Sequence, residues 1–435
     1  MIYPILKYLA QMEQTFVTLY PLFKKPGNGW QIGNVFDTLL EYVVRYTAPG
    51  VSADELVRAG LQQWENVQGS MCWYDDYGWW GIAFAKAFDD KYANVFNDAQ
   101  RREAQTLAKH CWDVMHTGKP PAPAPFNYTY KGGPNVWANR DETGNPGYFT
   151  KAGWAQPRFT GGVWQYDLWV TPRPHPPECT PNKNQDDLCV SDPKLKEWCP
   201  LGPFQLTVMN GLYFVLALRL ALKKQGTGTT DAVTAEYDFL KNWFSLKGDE
   251  SLLQSFSGDG SALVRERVAT YDKLDGVYPT VEGYAAADAW CGDQGLMLGA
   301  LLDYLSFDPS NPDVESQAIS LAGGVLSHMV DKNGVMPYSD GFNNHNDPDD
   351  YSCGSGVYWR YLLRGYNQNS TLHKQVLDYV ITEQEKNSVY VSAEQAFARV
   401  DSNDNKLFAY FNVLSVLMAA LEILGEANGV GPKNQ

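Results

Sequence analysis

Histidine is scarce in this chain: six in 435 residues, with no HExxH pair among them, so a zincin-type helix is excluded. No Gly-rich phosphate loop and no run of Lys and Arg appears, which argues against phosphate cradling and nucleic-acid binding. No stretch of 18 apolar residues is present, so no membrane-inserted segment is expected. The seven cysteines, Cys72, Cys111, Cys179, Cys189, Cys199, Cys291 and Cys353, follow no C-x-x-C spacing, and neither a metal nor another cofactor is called for. Positive charge is in deficit: 35 Lys and Arg against 50 Asp and Glu leave a formal net charge of −15. That surface repels nucleic acid and anionic membrane and favours neutral or cationic partners.

Aromatic residues are abundant instead, at 14% of the chain with 14 Trp and 26 Tyr. The densest cluster is CWYDDYGWW at residues 72–80, where Asp75 and Asp76 lie among Trp73, Tyr74, Tyr77, Trp79 and Trp80. Two close carboxylates in an apolar wall repel each other and are driven to different pKa values. One then stays ionised while the other keeps its proton, the division of labour that cleaving a glycosidic bond requires. The competing reading is an Asp-Asp helix N-cap beside a core aromatic cluster.

Helical segments dominate, and they are of two kinds. Trp79–Phe88, Leu212–Leu222, Gly295–Leu305, Gly356–Leu363 and Leu407–Leu424 are apolar nearly all round, whereas Ala99–His116, Asp231–Phe244, Glu315–Val330 and Leu372–Glu385 are amphipathic. A helix apolar on every side must be buried, and one with a polar face lies outside. With Ile5–Phe23, Val35–Tyr46 and Ala53–Asn66 the count reaches about twelve, alternating outer and inner. An all-α (α/α)6 barrel of antiparallel helical hairpins is the expectation, as one domain over residues 1–435. A long irregular loop is expected at about 118–202, and Phe256–Val277 reads as a β-hairpin closed near Asp275-Gly276.

In such a barrel every inner helix starts at the same end. That end gathers Trp30–Asn34, residues 72–80, Trp290–Gly295, Tyr351–Trp359 and Asp401–Lys406, rich in Trp, Asp, Asn and Gln with glycines that let backbone approach a ligand. Adjacent residues diverge on a helix, so Asp75 and Asp76 are expected just ahead of it, facing one cleft.

At this point the motifs become familiar. WQIGNVFDTLLEY (30–42), YDDYGWW (74–80), GGVW (161–164), TVMNGLYF (207–214), DQGLMLGALLDY (293–304) and GVYWRYL (356–362) together resemble glycoside hydrolase family 76, the α-1,6-mannanases and their fungal cell-wall transglycosylase relatives. The resemblance spans about Trp30 to Leu424, and YDD-x-x-WW is its most specific element. It implies an (α/α)6 barrel and anomeric retention, with Asp75 as nucleophile and Asp76 as general acid/base. It also implies substrate contacts from Gln31, Asn34, Trp73, Tyr74, Trp79, Trp80, Trp164, Gln165, Tyr166, Asp293, Gln294 and Tyr358. Two departures fall in the expected cleft: Gln165 replaces a Trp of the family's GGxWW, and Asp293 replaces the Asn of its YNQG.

Taken singly, several of these residues have a second reading. Asp293 and Gln294 bind a sugar hydroxyl or cap the helix that follows; Trp164, Tyr166 and Trp169 stack on a sugar or pin the loop; Gln31 and Asn34 cap or hold a hairpin. The acidic loop Asp340–Asp350 lacks the spacing of an EF-hand and reads as solvated. His110, Cys111 and His116 read as packing residues and not as a zinc site.

The polysaccharide or oligosaccharide partner expected is an α-mannan, acted on by a monomer. Hydrolysis of an α-1,6-linked backbone, transglycosylation onto an acceptor sugar, and non-catalytic glycan binding are the three functions in competition. A secreted, extracellular protein is expected. Cys179, Cys189 and Cys199 lie in a Pro- and Asn-rich loop suited to a disulfide staple, and Asn127-Tyr-Thr and Asn369-Ser-Thr are sequons. Ile2 to Leu9 is interrupted by Lys7 and lacks a cleavage site, so it does not read as a signal peptide. Seven cysteines leave one unpaired in a monomer, and Cys111 is the candidate.

Overall fold

The structure, a computed structural model, describes residues 3–71, 74–117, 149–150, 153–154, 207–245, 253–256, 258–265, 289–336, 352–400 and 405–429. Cys72, Trp73, Asn127, Trp164, Gln165, Tyr166, Trp169, Cys179, Cys189, Cys199, Asp275-Gly276 and Asp340–Asp350 lie outside them, as does most of the stretch 118–202.

Thirteen α-helices occur among the described residues, and twelve of them form two rings. The inner ring consists of α2 (Gly29–Arg45), α4 (Tyr74–Phe84), α6 (Thr207–Leu222), α8 (Cys291–Phe307), α10 (Gly354–Gln368) and α13 (Lys406–Ala427). The outer ring consists of α1 (Ile5–Phe23), α3 (Ala53–Val67), α5 (Asp98–Thr117), α7 (Thr229–Ser245), α9 (Pro312–His328) and α11 (Ser370–Glu383). A short helix, α12 (Ser388–Glu394), interrupts the alternation before α13. Each inner helix packs on the next, α13 returns to α2, and α1 lies along α13. The ring is closed by a clasp of two hydrogen bonds: the Tyr3 amide donates to Asn428 Oδ1 at 3.0 Å, and Asn428 Nδ2 donates to the Tyr3 carbonyl at 3.1 Å. This is the (α/α)6 toroid that the apolar pattern requires.

Composition explains the sorting. In α6 the run from Leu212 to Leu218 is wholly buried, each large side chain contributing roughly 1.5–3 kcal/mol through burial. Helix α13 is long and apolar enough to cross a bilayer, but most of it is buried inside the toroid. Amphipathic α3 begins at Ser52, whose side chain accepts from the Glu55 amide. Helix α11 begins at Asn369, the acceptor position of a sequon, whose Oδ1 accepts from the Leu372 amide at 2.8 Å while its Nδ2 donates to Glu315 at 2.9 Å.

The glycines of the inner-helix motifs serve the seams between helices, and here the structure corrects the expectation that they admit a ligand. A Cβ on Gly295 of α8 would lie 2.8 Å from the backbone of Tyr358 on α10, and one on Gly33 of α2 would meet the Trp80 indole of α4 at 2.9 Å. Gly78, Gly211 and Gly356 lie equally tight against the next inner helix. Only hydrogen fits where six helices crowd one axis.

Two short antiparallel pairs accompany the helices: β1 (Phe149–Thr150) with β2 (Gly153–Trp154), and β3 (Leu253–Ser255) with β4 (Ala262–Val264). The β3–β4 hairpin closes between Phe256 and Ser261, whose carbonyl accepts from the Phe256 amide at 2.9 Å. It therefore forms earlier in the chain than the turn expected at Asp275-Gly276.

At the end of the ring where the inner helices finish, the core is charged. Lys86 Nζ lies 2.6 Å from Asp37 Oδ1 and 2.9 Å from Glu41 Oε1. Arg360 Nε reaches Asp37 Oδ2 at 3.0 Å, and its Nη1 donates to the carbonyl and side chain of Asn34 and to Thr38. Burial alone would raise the Glu41 carboxyl, but Lys86, Lys91 and Arg45 outweigh it and hold the group well below the usual carboxylate range. Burial likewise opposes ionisation of Asp37, and Arg360 and Lys86 overcome it.

Candidate active site

The opposite end, where the inner helices begin, gathers the expected motifs. Trp30 and Gln31 lie in the first turn of α2, Asp75 and Asp76 in the first turn of α4, Asn210 in that of α6, and Asp293 and Gln294 in that of α8. Asn405 caps α13, its Oδ1 accepting from the Phe408 amide, and its Nδ2 approaches Gln31 Oε1 at 3.5 Å. Asn412 joins the last two inner helices: its Oδ1 accepts from the Gly356 amide at 2.7 Å and its Nδ2 donates to the Ser352 carbonyl at 2.6 Å.

Helix α4 begins at Tyr74, so the two aspartates occupy its first turn and do not precede it as expected. The helical period decides where they point. Residues four apart share a face, so Asp75 stands over Trp79 and Asp76 over Trp80. Trp79 packs on the Trp30 ring with centroids 6.1 Å apart. Trp80 donates its Nε1–H to the Gly29 carbonyl at 2.8 Å. Both tryptophans therefore meet the start of α2. Asp75 is half-buried and Asp76 is 4% exposed. The free amide groups and dipole of a first helical turn can support one ionised carboxylate there.

The expected substrate contacts divide. Gln31 and Tyr74 are half-buried and open to the same end as Asp75. Trp79, Asp76 and Asp293 belong to the same end of the inner ring and have almost no exposed surface. Four others are buried and bonded or packed against other parts of the protein. Trp80 is wholly enclosed by Trp64, Phe36 and Phe84. Tyr358 donates its hydroxyl to the Ala322 carbonyl at 3.0 Å. Asn34 belongs to the Arg360 network. Gln294 accepts from the Val264 amide at 2.7 Å and donates to the Val264 carbonyl at 2.6 Å, pairing with β4 as a neighbouring strand would.

Trp30 is the site residue that the sequence reading left inside its motif. It is half-buried and packs, tilted, between Trp79 and Phe408, whereas Trp79 is almost wholly buried. Its place in the first turn of an inner helix, the same place as Asp75, was the available signal.

His110, Cys111 and His116 face three different neighbours. His110 meets the Trp64 and Tyr77 rings, Cys111 lies against Gly81, and His116 Nδ1 lies 2.8 Å from the Tyr213 hydroxyl. Among the described residues no group of three His, Cys, Asp or Glu side chains is placed to hold a metal. Cys111 is a free, buried thiol, and Cys291 and Cys353 are also buried thiols outside any disulfide.

Comparison with solved structures finds the same toroid. An inactive variant of the α-1,6-mannanase of Salegentibacter sp. HEL1_6, with two consecutive aspartates replaced by asparagine and α-1,6-mannotriose bound, superposes with a TM-score of 0.51 at 13% identity, covering 96% of this chain and 99% of that one. Dfg5 from Chaetomium thermophilum in complex with glucosamine gives a TM-score of 0.54 at 13% identity, covering 92% and 83%. This chain has the fold of the family 76 glycoside hydrolases. No protein-family model and no curated protein matches the sequence itself.

Proposed function

We propose that the chain is a retaining glycoside hydrolase of family 76 that cleaves an α-1,6-linked mannan backbone. The observation that carries this reading is the placement of Asp75 and Asp76 in the first turn of α4, beside half-buried Trp30 and Tyr74 at the end where the inner helices begin. In the reaction, Asp75 attacks the anomeric carbon from the more open position while Asp76 protonates the departing glycosidic oxygen. Water then enters; Asp76, now a base, takes its proton, and the sugar is released with its original configuration. Trp30 stacks on a ring next to the scissile bond, and Gln31 and Asn405 bond its hydroxyls. The inactivity of the Salegentibacter mannanase when two consecutive aspartates become asparagine supports the roles given to the pair. The whole chain acts as one secreted domain, with the cysteines of the 179–199 loop bridged.

Transfer to an acceptor sugar is the second reading, favoured by the likeness to Dfg5. Incubation with α-1,6-mannan, with and without excess mannobiose, separates the two. Hydrolysis predicts new reducing ends that keep pace with cleavage; transfer predicts elongated products and few reducing ends. Absence of both, with α-mannan still bound, would identify a glycan-binding toroid. No action on α-mannan alongside cleavage of α-glucan or galactan would overturn the substrate.

A further inference from the structure

A cavity of about 80 Å³ opens at the other end of the toroid, where α2, α4, α6 and α10 finish. Five cationic side chains line it: Lys86, Lys91, Arg219, Lys223 and Arg364. The carboxylates available to them are fewer. Glu41 and Asp89 line the same cavity, and Asp303 beneath it is shared between Arg364 and Arg219. Glu41 is already bound by Lys86, Lys91 and Arg45. With Asp37, which pairs with Lys86 and Arg360, five lining cations thus meet four carboxylates, two of which are also shared with Arg45 and Arg360, in a chain whose formal charge is −15.

Helix C-termini carry partial negative charge and account for part of this excess. Lys86 donates to the Asp37 carbonyl at 2.7 Å and Arg219 to the Ile82 carbonyl at 2.7 Å. Lys223 is not accounted for in this way. It is exposed at the cavity mouth and has no partner for its ammonium group among the described residues.

We propose that this cavity binds a phosphate oxyanion. Its volume equals that of about two or three waters, which suits a tetrahedral group of five heavy atoms and excludes a sugar ring or a drug-sized ligand. The exposed ammonium groups of Lys91 and Lys223, with the guanidinium groups of Arg219 and Arg364 behind them that share Asp303, form the donor set for phosphate. Bound there, the anion neutralises the excess charge and ties the segment that follows α4 to α6 and α10 at the end remote from the candidate active site.

The test is calorimetric titration of the whole protein with inorganic phosphate, ionic strength being held constant with sodium chloride, together with thermal denaturation in the same buffers. Saturable binding and a rising midpoint are expected. Lys223→Gln should weaken binding about tenfold to a hundredfold, the scale of one charge-assisted hydrogen bond, and Lys91→Gln with Lys223→Gln should weaken it further. Lys241→Gln, at an exposed lysine on α7, should bind as the wild type does. No heat and no shift beyond that of chloride would overturn the proposal. So would equal affinity in the double variant. Neither readout involves a glycan, so failure here is distinct from failure of the proposed hydrolase.

Discussion

Gly323 and Gly324 are neighbours in α9, yet the same substitution should act on them with opposite signs. At Gly323 an added Cβ would meet only the end of the Gln375 side chain, at 3.2 Å, which can yield. Alanine is favoured over glycine inside a helix by about 0.8–1 kcal/mol, so Gly323→Ala should stabilise by up to that amount. At Gly324 the same Cβ would be driven into the carbonyl oxygen of Ala262 on β4. To make room the strand must withdraw by about 1 Å, yet it is held by the two hydrogen bonds exchanged between Gln294 and Val264. Overpacking costs about 1–3 kcal/mol, and loosening two buried hydrogen bonds costs about 1–3 kcal/mol more. Set against the gain in propensity, Gly324→Ala should destabilise by about 1–5 kcal/mol. Urea denaturation followed by far-UV circular dichroism measures both variants on one scale. If Gly324→Ala proves neutral or stabilising with an unchanged denaturant slope, β4 is not seated on α9 and the reasoning fails.

Glu236 on α7 is buried, and its Oε1 has no hydrogen-bond partner among the described residues; burial pushes its carboxyl well above the ordinary value. A carboxyl whose folded pKa is raised supports stability below its unfolded pKa and loses that support as pH rises through the folded value. Glu236→Gln should therefore gain stability over the wild type at pH 7 to 8 and gain none near pH 4, as thermal midpoints across that range will report. Lys86→Met should cost about 3–5 kcal/mol, because Asp37 and Glu41 would stay buried without their shared cation; a loss under 1 kcal/mol in urea denaturation contradicts this. Trp30→Ala should weaken α-1,6-mannotetraose binding by about 1–3 kcal/mol while leaving the thermal midpoint near that of the wild type. A large fall in midpoint with unchanged affinity would make Trp30 a core residue instead.

The toroid was legible in the sequence because burial leaves a plain trace. Leu212–Leu222 has no polar face and Ala99–His116 has one, and that contrast alone orders the two rings. The start of α4 was misplaced by five residues. YDDYG looks like a loop because Asp and Gly are poor helix formers, but Asp is welcome in a first turn and Gly78 is needed against α6. The site was legible in its position and less so in its members. Trp79 and Trp80 are adjacent and identical in type, and only the helical period separates the ring beneath Trp30 from the one sealed in the core. Gln294 stands in a motif beside Asp293, yet it spends its amide on Val264, a partner thirty residues upstream that no local pattern reveals. The glycines read as ligand-facing were in the right motifs for a different physical reason, the crowding of helices around one axis.

The most direct test of the central claim is proton NMR of the anomeric region during the first minutes of α-1,6-mannotetraose cleavage, for the wild type beside Asp75→Asn and Asp76→Asn. The account predicts that the wild type releases the α-anomer first and that each variant, folded as judged by circular dichroism, releases product slower by orders of magnitude. A β-anomer appearing first would replace the double displacement with a single inversion, and full activity in both variants would place the chemistry away from the first turn of α4.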